Sequence, residues 1–385
     1  MKKKLKTFLL STLFSLIPTL LIWIPFFLRV KSVWGIPLPQ NGMATIVANY
    51  DGPLFIVVAK SFYNPEIIKQ LISFPLPTEY YAAHFPLFPL LIKPLALVFG
   101  FPYGMLFVTV ITSILAVFFF HELISLYDKK NALWLTFFFS IFPARWLIVR
   151  SVGSAEPIFI ASIIASIYYF KNKNYLLAGL WGALAQLTKS PGILLFISYL
   201  FAIFLPSVKK LGTQSFDKWL KFLKLKNYLP ILLIPTALCG VFLFYRIRLN
   251  DFLAYFHSGD NIHLIFPPFQ IFNYSAPWVG TFWLEEILFV YLIASLGVIK
   301  LWQQKRTSLF YFSLVFFISI LFVSHRDLIR YSLPIVPFLI TAFSETIVKK
   351  EFKLVTIMLI LPIYLFSLAY ISQNAMPIAD WGPLL

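Results

Sequence analysis

Five short polar clusters interrupt an otherwise apolar chain, and they hold side chains that could act as a base or bind an anion: Asn49–Gly52, Glu79–His84, Arg150–Glu156, His257–His263 and Ser324–Tyr331. A carboxylate such as Asp51 can take a proton from a hydroxyl group. Arginines such as Arg326 and Arg330 can hold a phosphate through paired hydrogen bonds. When the apolar segments are threaded through a bilayer, all five clusters fall on one side, so we expect a site at that membrane face.

The composition indicates an integral membrane protein. Of 385 residues, 60% are hydrophobic and 12% are charged, whereas soluble domains carry about 25% charged residues. The apolar segments suit helices rather than barrel strands, so we expect an all-α polytopic fold. No hydrophilic stretch is long enough for a soluble domain, and we expect one domain over residues 1–385. The net charge of +17 would suggest nucleic-acid binding in a soluble protein. Here the lysines of the loops explain it better, because they set the topology and contact anionic lipid.

The single cysteine and the N-terminal segment exclude two further interpretations. Cys239 has no second cysteine to pair with, so neither an intrachain disulfide nor a cysteine metal cluster can form. Residues 1–28 have a basic start and an apolar run, as a signal peptide does, but they lack a small-residue cleavage site. Because the run is long enough to span, we expect it to form the first helix.

About eleven apolar segments are candidates to cross the membrane, at about 20 residues per span: 8–28, 103–126, 132–149, 155–170, 174–188, 191–206, 229–247, 284–300, 309–324, 333–348 and 354–372. With a cytoplasmic N-terminus, the lysine-rich loops fall inside, as the positive-inside rule requires. The proline-containing run 85–99 is too short to span, and we expect an interfacial or re-entrant helix there, in the outer loop 29–102. A second interfacial helix is expected over 51–63, with Pro53 in its first turn.

Two carboxylates near helix starts each have two interpretations. Asp51 precedes Gly52 and Pro53, a pattern typical of a helix N-cap whose side chain accepts hydrogen bonds from first-turn amides. The same carboxylate could instead be a catalytic base. Glu156, beside Pro157, is either a first-turn cap or a functional carboxylate of the membrane region. The residue types alone leave both questions open.

A set of short motifs follows the first helix in order. Asp51 is followed by the expected interfacial helix and then by HFPLFPLLI at His84–Ile92. This order resembles the PIG-V-like family of mannosyltransferases, with its Trp-Asp-Gly and Phe-Phe-Pro-Leu-Tyr-Pro-Leu type motifs. Tyr50 replaces the tryptophan, His84 stands where an aromatic residue is usual, and Lys189 replaces a usual arginine. Later stretches that resemble family segments are SAEPIFI (Ser154–Ile160), AGLWGALAQLTKSPG (Ala178–Gly192), DFLAYFHSGDN (Asp251–Asn261) and IRYSLPIVPFLI (Ile329–Ile340).

The resemblance implies the GT-C class of membrane glycosyltransferases, which use lipid-linked sugars. Its implied donor is a polyprenyl-phosphate hexose, with mannose as the sugar, and it implies a functional acidic residue at Glu156. The absence of a Rossmann glycine fingerprint or a soluble Asp-x-Asp domain also suggests a lipid carrier rather than a nucleotide. Direct displacement inverts the sugar and requires a single base, for which Asp51 is the candidate.

The remaining polar residues supply candidates for binding. Cations that could stabilise a phosphate leaving group, or that could instead reach lipid headgroups, are Arg330, Arg326, Lys189 and Arg150. Substrate-binding candidates are Glu156, His84, Glu79, Tyr50, Tyr331, His257 and Asp260. No cofactor is implied with certainty, and a divalent metal stays open. The groups that could bind one, at a spacing that matches no known ligand motif, are Glu79, His84, His257, Asp260 and His263.

Two other function classes compete with a glycosyltransferase. A lipid or small-solute transporter or flippase places charged groups near the bilayer midplane and often shows repeated halves, whereas this chain has its polar residues at one end and no internal repeat. A structural scaffold does not explain the clustered Asp, Arg and His. We therefore expect an enzyme of a prokaryotic cell membrane, with its N-terminus in the cytoplasm and its site on the extracytoplasmic side. Its acceptor is a glycan, lipid or protein.

Overall fold

The computed structural model describes residues 2–71, 77–207, 225–258, 264–273, 275 and 284–385. Most of these residues are helical. A short antiparallel hairpin joins β1 (Ser32–Val33) to β2 (Ile36–Pro37), with Val33 opposite Ile36. The all-helical fold class expected from the composition is confirmed.

The chain divides into two compact units, each built from separate stretches of sequence. Unit 1 comprises Met1–Ala161, Val241–Asn261 and Ser344–Leu385, and unit 2 comprises Ser162–Gly240 and Ile262–Phe343. The single domain expected from the sequence stays a prediction.

The helices that lie wholly within unit 1 carry the first polar clusters and the C-terminal segment. They are α1 (Lys2–Phe27), α2 (Met43–Val47), α3 (Gly52–Ser61), α4 (Pro65–Leu71), α5 (Leu87–Ser125), α6 (Ala132–Ile141), α7 (Ala144–Val149), α12 (Ala254–His257), α17 (Ser344–Ile347) and α18 (Lys350–Gln373). Two 3-10 turns of this unit are Thr78–Ala83 and Gly382–Leu384.

The other helices belong to unit 2 or are divided between the units. They are α8 (Glu156–Lys171), α9 (Tyr175–Thr188), α10 (Ile193–Phe204), α11 (Leu233–Leu249), α13 (Leu284–Gln303), α14 (Thr307–Leu321), α15 (Leu328–Tyr331) and α16 (Val336–Ala342). Short 3-10 turns join them at Ser190–Gly192, Leu205–Ser207, Leu225–Leu232, Gln270–Phe272 and Leu333–Ile335.

Local sequence explains the tight α8–α9 connection. Lys173 has a left-handed φ of 60°, and the Asn174 side chain accepts a hydrogen bond from the Leu177 amide at 3.1 Å, which caps α9. Gly182 of α9 lets the two helices approach closely, because a Cβ at this position would lie only 3.3 Å from the Ser166 hydroxyl of α8. The expected helices over 155–170 and 174–188 are therefore present as an antiparallel pair.

Four described helical segments are long and apolar enough to cross a membrane: Leu5–Phe27, Leu87–Ser125, Leu225–Leu249 and Lys350–Gln373. Shorter apolar helices, such as Thr307–Leu321, occupy other predicted spans. The exact count of eleven spans is not confirmed.

A sharp break divides α5 at the position where the sequence separates two helices. Gly100 is non-helical, with φ 75° and ψ 162°, and Pro102 follows it. The chain then folds back, because a Cβ on Gly104 would lie 2.9 Å from the amide nitrogen of Ala96. A separate helix over 87–99 is thus confirmed, while its place at the membrane interface stays a prediction.

Helix α3 differs from the expected interfacial helix. It begins and ends close to the predicted 51–63, with Pro53 in its first turn, but every residue from Gly52 to Ala59 is buried inside the protein. Its burial follows from its apolar residues, which cover every face from Gly52 to Ala59, while its place at the membrane interface stays a prediction.

Two predicted spans are broken rather than continuous. In 132–149, the helix ends at Ile141 and a new one begins at Ala144, because Phe142 precedes Pro143 and adopts an extended conformation. The predicted span 333–348 is likewise divided, into a 3-10 turn and two short helices.

Candidate functional site

Asp51 lies in a tight turn between α2 and α3. Tyr50 has a left-handed φ of 50°, and the Gly52 amide donates to the Asn49 carbonyl at 3.1 Å. A Cβ on Gly52 would lie 2.1 Å from the carbonyl oxygen of Val47, so only glycine fits. A non-glycine residue with positive φ is uncommon and persists where the surrounding structure imposes it. The turn therefore fixes the direction in which the aspartate leaves the backbone.

The Asp51 carboxylate does not cap the helix that it precedes. Asp51 occupies the N-cap position of α3, yet its side chain accepts no capping hydrogen bond there. Its Oδ2 lies 4.0 Å from Nε2 of His84, and its side chain is 34% exposed. Of the two interpretations, a cap requires a bond to the first-turn amides. The geometry therefore does not support the cap interpretation, and the role of Asp51 as a base stays a prediction.

Two buried tyrosines hold the segment that carries His84. The Tyr63 hydroxyl donates to the His84 carbonyl, and the Tyr245 hydroxyl donates to the Ala82 carbonyl at 2.9 Å. The His84 side chain is 6% exposed, and its ring centroid lies 4.9 Å from that of Phe55 in an edge-to-face contact. The imidazole is consequently a rigid neighbour of the aspartate.

An arginine that the sequence analysis did not select lies beside this turn. Nη1 of Arg145 donates to the Tyr50 hydroxyl at 3.1 Å, and its Cζ lies 3.8 Å from the centroid of the Tyr370 ring, a cation–π distance. The signal was present in the sequence, because a basic residue inside the predicted span 132–149 is a functional candidate by default.

Glu156 is buried at the first turn of α8, with 4% of its surface exposed. Its carboxylate accepts a hydrogen bond from the Ser154 hydroxyl, and the Glu156 amide donates back to that hydroxyl at 3.3 Å. The Ser154 amide donates to the Thr109 hydroxyl at 3.2 Å, and this bond connects the segment to α5. Glu156 is therefore held by local hydrogen bonds inside unit 1.

The turns that carry Asp51 and Glu156 pack on the same side chain. A Cβ on Gly52 would lie 3.3 Å from Cε of Met105, and a Cβ on Gly153 would lie 2.2 Å from the same atom. The structure thus brings together two of the five polar clusters, around one methionine of α5.

Arg150 lies inside the protein and does not reach a headgroup. Its side chain is fully buried, and Nη2 donates to the carbonyls of Phe14 at 3.3 Å and Ser15 at 2.6 Å. Pro18 has no amide that could donate to the Phe14 carbonyl, four residues earlier in α1. Arg150 provides a donor to that carbonyl instead. Phosphate binding by Arg150 stays a prediction, but the contacts observed join α1 to the 150–156 segment.

The other predicted cations belong to unit 2. Nη1 of Arg330 lies 3.8 Å from Oδ2 of Asp327, and its side chain is 7% exposed. Its Cζ lies 5.8 Å from the ring centroid of Tyr331. Arg326 is exposed, and Lys189 ends α9 in an extended conformation. Their convergence on one phosphate stays a prediction.

Two predicted binding residues have local partners in unit 1. Glu79 is exposed and accepts from the hydroxyl of its neighbour Thr78 at 3.4 Å. Nδ1 of His257 lies 2.7 Å from Oδ2 of Asp251. These contacts involve neighbouring residues, so they stabilise the local loop structure.

The metal hypothesis is open. Asp260 and His263 lie outside the described residues. Within the part of the chain that is described, no three His, Cys, Asp or Glu side chains are grouped to hold a metal ion.

Solved structures share this arrangement of helices. One is the archaeal oligosaccharyltransferase AglB from Archaeoglobus fulgidus, in complex with an inhibitory peptide and a dolichol-phosphate (TM-score 0.57, 12% identity, 98% of this chain and 57% of that chain). Another is ArnT from Cupriavidus metallidurans bound to undecaprenyl phosphate (TM-score 0.52, 11% identity, 88% of this chain and 61% of that chain). The chain has a GT-C-like fold.

The likeness is one of fold and covers part of those proteins. This GT-C-like chain matches less than two thirds of the length of either structure. No protein-family model matches the chain, and no curated protein matches it in sequence. The PIG-V-like resemblance therefore stays a prediction, within a confirmed GT-C-like architecture.

Proposed function

We propose that the protein is an integral membrane glycosyltransferase that moves a hexose from a polyprenyl phosphate to an acceptor hydroxyl. The observation that carries this proposal is the Asp51 carboxylate. It is partly exposed, it does not cap its helix, and it lies beside a fixed imidazole. The fold supports the proposal, because the similar structures include one with dolichol-phosphate and one with undecaprenyl phosphate.

Asp51 is proposed as the general base. It takes the proton of the acceptor hydroxyl while the oxygen attacks the anomeric carbon of the donor sugar. The bond between that carbon and the phosphate oxygen breaks, and the polyprenyl phosphate leaves with the bonding electrons. A single displacement of this kind inverts the anomeric centre.

The role proposed for His84 is positioning. Its Nε2 lies 4.0 Å from the carboxylate, which is too long for a hydrogen bond, so the role proposed for the ring is to restrict the positions of the carboxylate by packing beside it. The packed ring and the anchored backbone keep this distance constant.

The leaving phosphate needs cations. Arg145 is the candidate within unit 1, because its guanidinium contacts Tyr50, the residue before Asp51. From unit 2 the candidates are Arg330, Arg326 and Lys189, as the sequence predicts. Mannose is proposed from the PIG-V-like resemblance alone.

The test is a transfer assay with protein purified into lipid nanodiscs and radiolabelled polyprenyl-phosphate mannose. Glycolipids and glycans extracted from the expression host serve as acceptors. We expect label in an acceptor, with the opposite anomeric configuration to that of the donor. Transfer from a nucleotide sugar with no lipid carrier would overturn the proposed donor, and a retained anomeric configuration would overturn the single displacement.

A further inference from the structure

A cleft of about 500 Å³ opens beside the turn that carries Asp51, between the segment before α3 and the C-terminal segment. One wall includes Asn41, Thr45 and Ala48, and the other includes Ser372 and Trp381. Both walls belong to unit 1. The volume lies within the range of about 300–1,000 Å³ that is typical of small-ligand sites.

The C-terminal wall is held in place by contacts along its length. The Met376 amide donates to the Ala48 carbonyl at 2.8 Å, and Ala375 forms an antiparallel bridge with Asn49. Further along, Nζ of Lys60 donates to the Pro383 carbonyl at 2.7 Å. A cleft that is already formed before binding avoids the entropic cost of ordering its walls.

The lining chemistry indicates a neutral ligand with hydroxyl groups. None of the side chains that line the cleft carries a charge, so nothing in it would compensate a phosphate. Asp380, which lies between two lining residues, instead accepts a hydrogen bond from the Gly382 amide at 2.8 Å. A sugar ring stacks on an aromatic face and forms hydrogen bonds with amide and hydroxyl groups. In the cleft, Trp381 provides the aromatic face, Asn41 the amide and Ser372 a hydroxyl.

A buried hydroxyl in the wall supports this assignment. Thr45 is 2% exposed and lines the cleft, and its Oγ1 has no hydrogen-bond partner among the described residues. A buried polar group without a partner costs free energy. A ligand hydroxyl in the cleft would provide the partner.

We infer that this cleft binds the neutral sugar that accepts the transferred hexose, an acceptor role that rests on the proposed function. The position supports it, because Ala48 lines the cleft and Asp51 follows three residues later. Consecutive Cα atoms are about 3.8 Å apart, so the two Cα atoms are separated by at most about 11 Å. A sugar chain in the cleft can therefore present a hydroxyl to the proposed base.

The test is binding without turnover. Purified protein in nanodiscs is titrated with neutral disaccharides of mannose, glucose, galactose and N-acetylglucosamine, and binding is followed by saturation-transfer NMR. We expect at least one to bind with a dissociation constant of about 1–10 mM. Trp381→Ala should weaken it about tenfold and Thr45→Val several-fold. The matched control is Trp34→Ala, since Trp34 is 76% exposed in the same unit and lies outside the cleft.

A second variant keeps the test decisive if Trp381→Ala does not fold. Ala379 lines the cleft and is exposed, so Ala379→Trp should fold and fill the cleft, whereas Ala379→Ser should bind normally. Equal binding to wild type and to Ala379→Trp, or no binding by any disaccharide, would overturn the inference. A third outcome is binding that depends on the cleft but no transfer from any lipid-linked hexose. This outcome would support the sugar site, and it would overturn both the proposed function and the acceptor role.

Discussion

Two aspartates of unit 1 precede helices, and they are used differently. Asp128 lies four residues before Ala132, the first residue of α6. Its Oδ1 accepts from the Asn131 amide at 3.1 Å, and its two oxygens accept from the Asn131 side chain. Asp51 lies directly before α3 and makes no such bond to its helix. The same residue type therefore holds a turn through its side chain in one region and makes no capping bond in the other.

The largest effect should separate these two aspartates. Asp51→Asn should lower turnover by about 10²–10⁴, the usual contribution of a general base, with little change in thermal stability. Asp128→Asn should keep turnover and lose at most about 1 kcal/mol of stability. Turnover and thermal unfolding are measured on the same preparations. An Asp51→Asn variant with normal turnover would remove this residue from the mechanism and leave Glu156 as the next candidate.

The cation beside the Asp51 turn gives the second comparison. Arg145→Gln should lower turnover by about 10², the effect of losing one donor to a developing negative charge. Arg248→Gln is the matched control, because Nε of Arg248 donates to the Phe62 carbonyl at 2.9 Å and has no proposed role in transfer. Equal loss of turnover in both variants would mean that Arg145 acts through the fold alone.

The turn itself can be broken at Gly52. Gly52→Ala should cost about 1–3 kcal/mol, because the new methyl group would meet the Val47 carbonyl. Gly240→Ala is the control, since a Cβ there has nothing within 4 Å, and it should be neutral or stabilising by up to about 1 kcal/mol. Chemical or thermal unfolding measures both. A Gly52→Ala variant as stable as wild type would show that the turn can relax.

Arg150 is expected to behave as Asp128 does, in support of the fold. Arg150→Met should cost about 1–3 kcal/mol, because the buried Ser15 carbonyl and the part-buried Phe14 carbonyl of α1 lose a donor. Pro18→Ala restores an amide for the Phe14 carbonyl, so the double variant should recover part of this loss. Strict additivity in the double-mutant cycle would contradict the link between the proline and the arginine.

The smallest effect concerns a third aspartate, in the segment after α11. Burial raises the pKa of Asp251, but hydrogen bonds from His257 and the Leu253 amide outweigh it, and the pKa lies below its usual value. A lowered folded-state pKa means that the stabilisation is present above the unfolded value of about 3.9 and is lost as the pH falls through the folded value. His257→Ala should therefore cost below about 1 kcal/mol at pH 7, and nothing at strongly acidic pH. Unfolding at both pH values measures this, and an equal cost at both would contradict it.

The elements that carry the candidate site could be predicted from the sequence better than their surroundings. The start of α3 near Asp51 followed from Pro53 in its first turn, and the separate helix over 85–99 followed from its prolines and its short length, which are local properties. Arg145 was missed because it lies outside the five polar clusters, alone among the apolar residues of the predicted span 132–149. Pro143 ends the first half of that segment, and the arginine then lies at the start of a second helix.

The sequence by itself determined that this is an apolar helical protein, that a carboxylate directly precedes the helix that begins near Gly52, and that the polar clusters are separate from the lysine-rich segments. These properties depend on composition and on neighbouring residues. Only the tertiary structure decided that α3 is buried, that Arg150 bonds to α1, and that the turns of Asp51 and Glu156 share Met105. Such outcomes depend on which distant segments pack together, and close packing is a property of the whole core rather than of any local pattern.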